Sequence, residues 1–250
     1  MEQTIKGYFP NRRTVRKFSD RKLDDATIDE IISLATKAPT TGNMQLYTVI
    51  VNRDPEMLAR LRPMHFNQPA SVGAKALLTV CADFNRFSRW CRLSDADPGY
   101  DNFLSFTSAM LDATILAQQI VTIAEMKGLG TCYLGTVTYN AAGISEILNL
   151  PELVVPVACI AIGWSDDDGE ESERLPIEAV RSYEQYPDFS DDEIIQLFKA
   201  KDDYAPNAKF VAENGKKTLA QVFTDVRYPR GMNEEFSARF IELLKDKKFL

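Results

Sequence analysis

The chain has 250 residues, 45% apolar and 26% charged, an ordinary globular composition with length enough for a buried core. Its net charge of −7 excludes the extended basic face that phosphate backbones and anionic membrane surfaces require. No uninterrupted apolar run reaches the roughly 18 residues of a membrane span, and Met1-Glu2-Gln3-Thr4-Ile5-Lys6 lacks the apolar core of a signal peptide, so the expected compartment is the cytoplasm.

The elements follow from hydrophobic period and punctuation. Thr27-Ile28-Asp29-Glu30 reads as a capping box that opens a helix. Its Ile28, Ile31, Ile32, Ala35 and Ala38 keep helical spacing until Pro39. Residues 47–51 form a β-branched strand, and Asp54-Pro55 starts a short helix to about Arg62. Residues 76–82 make a continuous apolar strand, expected to be buried on both faces. Residues 103–127 are the longest helical stretch. They are apolar enough to be buried nearly all round, in the core or against a second subunit. Gly128-Leu129-Gly130 ends that helix, and a short strand over 131–134 leads into a loop at Gly135.

A helix over 141–149 stops at Pro151, a second apolar strand covers 154–162, and 165–173 is an acidic loop. The tail holds three helices. Ser190-Asp191-Asp192-Glu193 caps the first, residues 216–224 form the second, and 233–244 form the third with Asn233 as N-cap. Four or five strands among dominant helices, joined by long crossovers, imply one central sheet flanked by helices.

Much chemistry is excluded by what is missing. Gly128-Leu129-Gly130 follows a helix, so it is no dinucleotide-binding turn, and no glycine-lysine phosphate loop occurs. Cys81, Cys91, Cys132 and Cys159 have neither C-x-x-C nor zinc spacing, and Cys81 and Cys159 sit in apolar runs as core residues. His65 is the only histidine. Without a G-x-S-x-G elbow it reads as an ordinary loop residue. An enzyme with this inventory needs a bound cofactor for the difficult step.

Two polar clusters could hold one. Arg12, Arg13 and Arg16 surround the hydroxyl of Thr14, and guanidinium forks match phosphate oxygens. Taken alone the cluster reads equally as a solvated basic patch. Residues 39–45 (PTTGNMQ) place donors and acceptors in a helix-to-strand loop that suits a flavin or nucleobase edge. It reads equally as a helix-stop loop. The residues alone give Gln68 no place.

The order of segments is more specific. RRTVRKF (12–18), APTTGNMQLYTVIV (38–51), NQPASVGAKALLTVCADFNRF (67–87), AEMKGLGTCYLGTV (124–137) and ERLPIEAV (173–180) run in series. In them the chain resembles the nitroreductase family of FMN-dependent oxidoreductases, in the branch of oxygen-insensitive NAD(P)H nitroreductases and flavin reductases. The resemblance covers the first 180 residues; the last 70 are similar in character only.

The resemblance implies an α+β, nitroreductase-like fold with a central, mostly antiparallel sheet flanked by helices and a long central helix at a dimer interface. It implies a homodimer with FMN at that interface. Residues 1–180 would form the FMN-binding core, and 181–250 a helical extension of the same domain that wraps the partner. By position, Arg12, Arg13 and Thr14 would meet the FMN phosphate and ribityl chain, and Arg16 the N1/O2 edge of the ring. Thr40, Thr41, Asn43 and Gln68 would hydrogen-bond ring or ribityl, some from the partner subunit. Leu134 and Gly135 would bring backbone to the ring and its N5, and Arg174 would return to the phosphate.

Ser172 and Glu173 stand where the family often has lysine and proline, which weakens the charge for the phosphate, and Leu46-Tyr47 replaces a proline-tryptophan pair. The implied reaction is ping-pong hydride transfer from NAD(P)H to a nitroaromatic, quinone or flavin. No side chain is needed as a general acid, and no metal, nucleic acid or membrane takes part. Lys199, Lys201 and Lys209 lie where relatives recognise the cofactor's 2′-phosphate, and read equally as solvated lysines. The rival readings are a flavin store or redox sensor, and a different flavin reaction on the same fold.

Overall fold

The computed structural model describes residues 6–165, 167, 169 and 172–250. Residues 1–5 of the N-terminal stretch, and 166, 168, 170 and 171 of the expected acidic loop, lie outside them.

The first long helix, α1 (Asp25–Ala35), opens earlier than the Thr27 box predicts. Asp24, in extended conformation, accepts from the Thr27 amide at 2.7 Å, so Thr27 is already inside the helix. A carboxylate at the N-cap satisfies an orphan N–H and suits the positive end of the helix dipole. Glu30 instead pairs with Lys127 at 2.8 Å. Strand β1 (Tyr47–Asn52) and helix α2 (Pro55–Leu61) follow, α2 starting after Asp54 as expected, with the Asp54 side chain as its cap. A 3-10 turn, Arg62–His65, and the short α3 (Pro69–Gly73) lead to β2 (Ala76–Asp83).

Next come α4 (Asn85–Leu93), absent from the sequence reading, and α5 (Phe103–Met126), capped by Asn102. Strands β3 (Leu129–Tyr133) and β4 (Val154–Trp164) flank α6 (Ala141–Ile147).

The four strands form one antiparallel sheet in the order β1-β2-β4-β3. Tyr47 pairs with Ala82, Ala76 with Ile162, and Leu129 with Trp164. The register slips between Val80 and Cys81, where Cys81 faces Pro156. Proline cannot donate to the ladder, so a central strand that contains one takes a bulge there.

Both faces of the sheet are covered, which is why β2 reads as an unbroken apolar run and is buried at all eight positions. On one face Leu78, Val80, Ile160 and Ile162 pack against Leu116, Ala117, Ile120 and Val121 of α5, together with Ile28 and Ile31 of α1. On the other, Leu77, Cys159 and Ala161 meet Leu58 and Leu61 of α2 and Ile144 of α6. Successive side chains on a strand point to opposite faces, so one strand serves both cores.

Helix α5 is long and apolar enough to cross a membrane by length and composition, as the core helix of a globular protein also can be. Within this chain one side of α5 is buried in the core, one of the two environments expected for it. Ala109, Ala113, Leu116, Ala117, Ile120 and Ala124 are buried, whereas Phe103, Leu104, Leu111, Ile115 and Met126 are exposed.

The chain divides into two compact units, one of residues 1–170 with 236–250 and one of residues 171–235. The second contains α7 (Ile177–Val180), α8 (Asp191–Asp202), α9 (Ala205–Glu213) and α10 (Leu219–Val222), the last running on through a π-helical turn to Arg227. Ser190 and Glu193 form the expected reciprocal capping box. The helix expected over 216–224 starts later because Thr218 is its cap. Helix α11 (Arg230–Asp246) starts just after Pro229, so Asn233 is inside it and not its cap; the Asn233 amide donates to the Tyr228 carbonyl at 2.9 Å. The end of α11 belongs to the first unit, where Leu243, Leu244 and Phe249 pack with Phe84, Phe106 and Leu153.

Candidate functional site

The arginine segment lies along the free edge of β3. The Val15 amide donates to the Thr131 carbonyl at 3.0 Å, and Thr14 is bridge-paired. Gly130 makes this approach possible, since a Cβ there would stand 2.5 Å from Val15 Cγ1. Arg13 and Thr14 are half-buried and Arg16 is exposed.

Arg12 lies 3.3 Å from Glu125 of α5. Glu125 also accepts from the Tyr8 hydroxyl at 2.6 Å and from the Thr131 hydroxyl. Burial and the Glu125 carboxylate push the Tyr8 hydroxyl up to about 12, so it stays protonated and donates. Arg12, read as a phosphate ligand, thus already has a carboxylate partner, which anchors the segment to the core.

Strand β3 carries this edge into Leu134 and Gly135. The Leu134 amide donates to Cys159 on β4 at 2.9 Å and its side chain is buried. Gly135 opens a 3-10 turn, Gly135–Val137, and no atom of the described residues lies within 4 Å of where its Cβ would stand. The turn that carries Gln68 is tied to this one. His65 Nδ1 is 3.0 Å from Thr136 Oγ1, and the Gln68 amide donates to the His65 carbonyl at 3.1 Å. His65 is therefore no ordinary loop histidine. It is fully buried, burial lowers it to about 4, and it is neutral near pH 7.

The loop of residues 40–46 is held by α5. Asp112, 2% exposed, accepts from the Thr41 amide at 2.9 Å and the Thr41 hydroxyl at 2.8 Å, and from the Leu46 amide at 3.4 Å. Gly42, Asn43 and Gln45 all have φ between 54 and 56°, a left-handed conformation that costs Asn and Gln about 1 kcal/mol or more each. Thr41 therefore donates to Asp112, while Asn43 is presented to solvent. Thr40 Oγ1 is buried and has no hydrogen-bond partner among the described residues.

In the second unit, exposed Arg174 bonds back to the carbonyls of Ser172 and Glu173 at 3.2 and 2.9 Å. Glu173, the carboxylate that threatens a phosphate site, is ion-paired with Lys201 and accepts from Asn207 at 3.0 Å; the Lys201 bond comes first in lowering its pKa. Lys199 pairs with Asp203 at 2.8 Å and Lys209 with Glu213 at 3.7 Å. All three lysines singled out in the sequence thus have local acidic partners.

The structure joins the arginine segment, Leu134, Gly135 and Gln68 through β3 and His65, and holds Thr40, Thr41 and Asn43 separately on α5. Asp112 and Glu125 escape the sequence reading, and His65 is misread by it, because each acts on a segment far along the chain. This donor set fits FMN. It has a buried unpartnered hydroxyl at Thr40, an open backbone position at Gly135, and guanidinium groups beside a hydroxyl at Arg13, Thr14 and Arg16. Among the described residues no His, Cys, Asp and Glu cluster could hold a metal.

Comparison with known proteins matches the same region. The nitroreductase family model matches residues 10–164. An FMN reductase (NAD(P)H) of Bacillus subtilis strain 168 is 31% identical over 92% of this chain and 94% of its own. An oxygen-insensitive NADPH nitroreductase of Salmonella typhimurium is 31% identical over 70% of this chain and 71% of its own. A solved structure of a provisionally assigned oxidoreductase from Bacteroides fragilis NCTC 9343 superposes with a TM-score of 0.95 at 41% identity, covering all of both chains. The antiparallel sheet, the segment on its β3 edge and these matches agree: the chain belongs to the nitroreductase family.

Proposed function

We propose that this protein is an FMN-dependent oxidoreductase that passes hydride from NAD(P)H to a flat acceptor, a nitroaromatic, quinone or flavin, by alternate binding at one site. The observation that carries the reading is the β3 edge, which joins the arginine segment to an open glycine turn within the family's matched region. Relatives named as an NAD(P)H-using FMN reductase and an NADPH nitroreductase support the same reaction.

Bound there, FMN supplies reversible hydride transfer at its N5. Arg13 and Thr14 hold the phosphate end, while Arg12 braces the segment against Glu125. Arg16 places positive charge by the N1/O2 edge, where two-electron reduction leaves negative charge. Thr40, Asn43 and Gln68 orient ring and ribityl, Thr41 fixes its loop on Asp112, and the backbone of Leu134 and Gly135 borders N5. The exposed apolar row of α5, Phe103, Leu104, Leu111, Ile115 and Met126, is the face for a second subunit, which completes each site. Of the expected extension over 181–250, the helices before residue 236 wrap that partner, since the end of α11 packs in the first unit. The expected compartment is the cytoplasm.

The test is spectroscopic and kinetic. Purified protein is expected to be yellow, to release FMN on denaturation and to bleach with NADPH or NADH under nitrogen. It should then turn over with a quinone and a nitroaromatic. Colourless protein that takes up no added FMN would overturn the reading. Bound FMN that does not bleach would leave a store or sensor instead.

A further inference from the structure

We propose that His65 is a positioning residue whose bond to Thr136 locks the turn carrying Gln68 to the turn carrying Gly135, so that the two form one rigid jaw on the flavin edge. The inference rests on the FMN reading above.

The geometry on both sides of the bond is tightly determined. Before Gln68, Phe66 and Asn67 sit at φ 53 and 50°, the left-handed region, in a turn closed by Asn67 N–H to Arg62 at 3.0 Å and Gln68 N–H to His65 at 3.1 Å. After it, the Gln68 carbonyl accepts from the Ser71 amide and hydroxyl, both at 2.8 Å. Gln68 therefore has its backbone direction set by His65 on one side and Ser71 on the other. A second tie runs parallel, with the Asn140 amide donating to the Met64 carbonyl at 2.7 Å.

The third observation is that His65 is more polar than its place requires. The ring is fully buried, and Nε2 has no hydrogen-bond partner among the described residues. An apolar side chain would avoid leaving that atom unsatisfied, so packing alone does not account for a histidine here. Either neutral tautomer makes the Thr136 bond, the hydroxyl donating to bare Nδ1 or accepting from Nδ1–H. Burial keeps the ring neutral, so the bond does not switch near neutral pH.

The experiment compares the wild-type holoprotein with T136V, T136S and H65N. T136V is nearly isosteric and puts a methyl in place of the hydroxyl, T136S keeps the hydroxyl, and an asparagine amide can replace Nδ1. FMN affinity is read from the recovery of flavin fluorescence on dilution. T136V should bind FMN about tenfold more weakly, T136S within about twofold of wild type, and H65N between them. Because His65 is the sole histidine, its ring ¹⁵N signals are unambiguous. They should move in T136V, and the Gln68 amide should move with them. T136V that melts like wild type and holds FMN equally tightly would overturn the role of His65 alone. Wild-type protein that binds no FMN would overturn the flavin reading and this role together.

Discussion

Thr41 and Asp112 lie 71 residues apart and are joined twice, the amide and the hydroxyl of Thr41 both donating to one carboxylate oxygen at 2.9 and 2.8 Å. A strained loop is thereby held to the central helix by a buried charge whose partners are all donors. Asp112→Ala would leave the buried Leu46 amide unsatisfied and release both Thr41 donors. It is expected to lower the unfolding free energy on the order of 3 kcal/mol and to weaken FMN binding. Denaturant titration with flavin fluorescence measures both, and a change in neither would remove Asp112 as the anchor.

Two glycines on one strand and its exit should behave in opposite ways. At Gly130 an added methyl meets Val15 at 2.5 Å, so Gly130→Ala should cost about 1–3 kcal/mol by overpacking. At Gly135 no atom of the described residues lies within 4 Å, so Gly135→Ala should change stability by no more than about 0.5 kcal/mol. On the proposed reading the same methyl at 135 should hinder the flavin's approach to this backbone and slow reduction by NADPH. Melting curves and stopped-flow bleaching separate the two effects.

Arg16 is exposed, and Arg16→Ala is expected to leave stability within about 0.5 kcal/mol of wild type. On the proposed reading it nonetheless removes the positive charge assigned to the N1/O2 edge. Flavin reduction should slow roughly tenfold or more. Anaerobic bleaching at unchanged rate would take Arg16 out of the mechanism.

His65 also predicts a pH dependence of folding. Burial lowers its pKa from 6.5 to about 4, so between those values the unfolded chain binds the proton and the folded chain does not. The contribution is complete above pH 6.5 and is lost as pH falls through about 4, amounting to about 3 kcal/mol. Wild type should therefore lose more stability than H65N between pH 7 and 4. Parallel urea curves over that range would contradict the burial of a neutral ring.

Strands β2 and β4 and the helix α5 were legible because apolar period is a local property. Local chemistry also revealed the caps at Asp54 and Ser190. Thr27 misled because Asp24, three residues before it, is also a capping residue, and the point where the chain leaves extended conformation decided between them. Helix α9 has no counterpart in the sequence reading; its Pro206 occupies the first turn, where a missing N–H costs nothing.

The site divides along the same line. The residue types and order of Arg12–Arg16, residues 40–43, Gln68 and Leu134-Gly135 are properties of the sequence, and they sufficed for the family and its cofactor. Tertiary structure decided which of them are engaged inside the protein. Arg12 meets Glu125, Thr41 meets Asp112, and Gln68 is set by His65 and Thr136. A side chain's residual capacity to bind depends on what the fold has already placed against it, and those neighbours are distant in sequence.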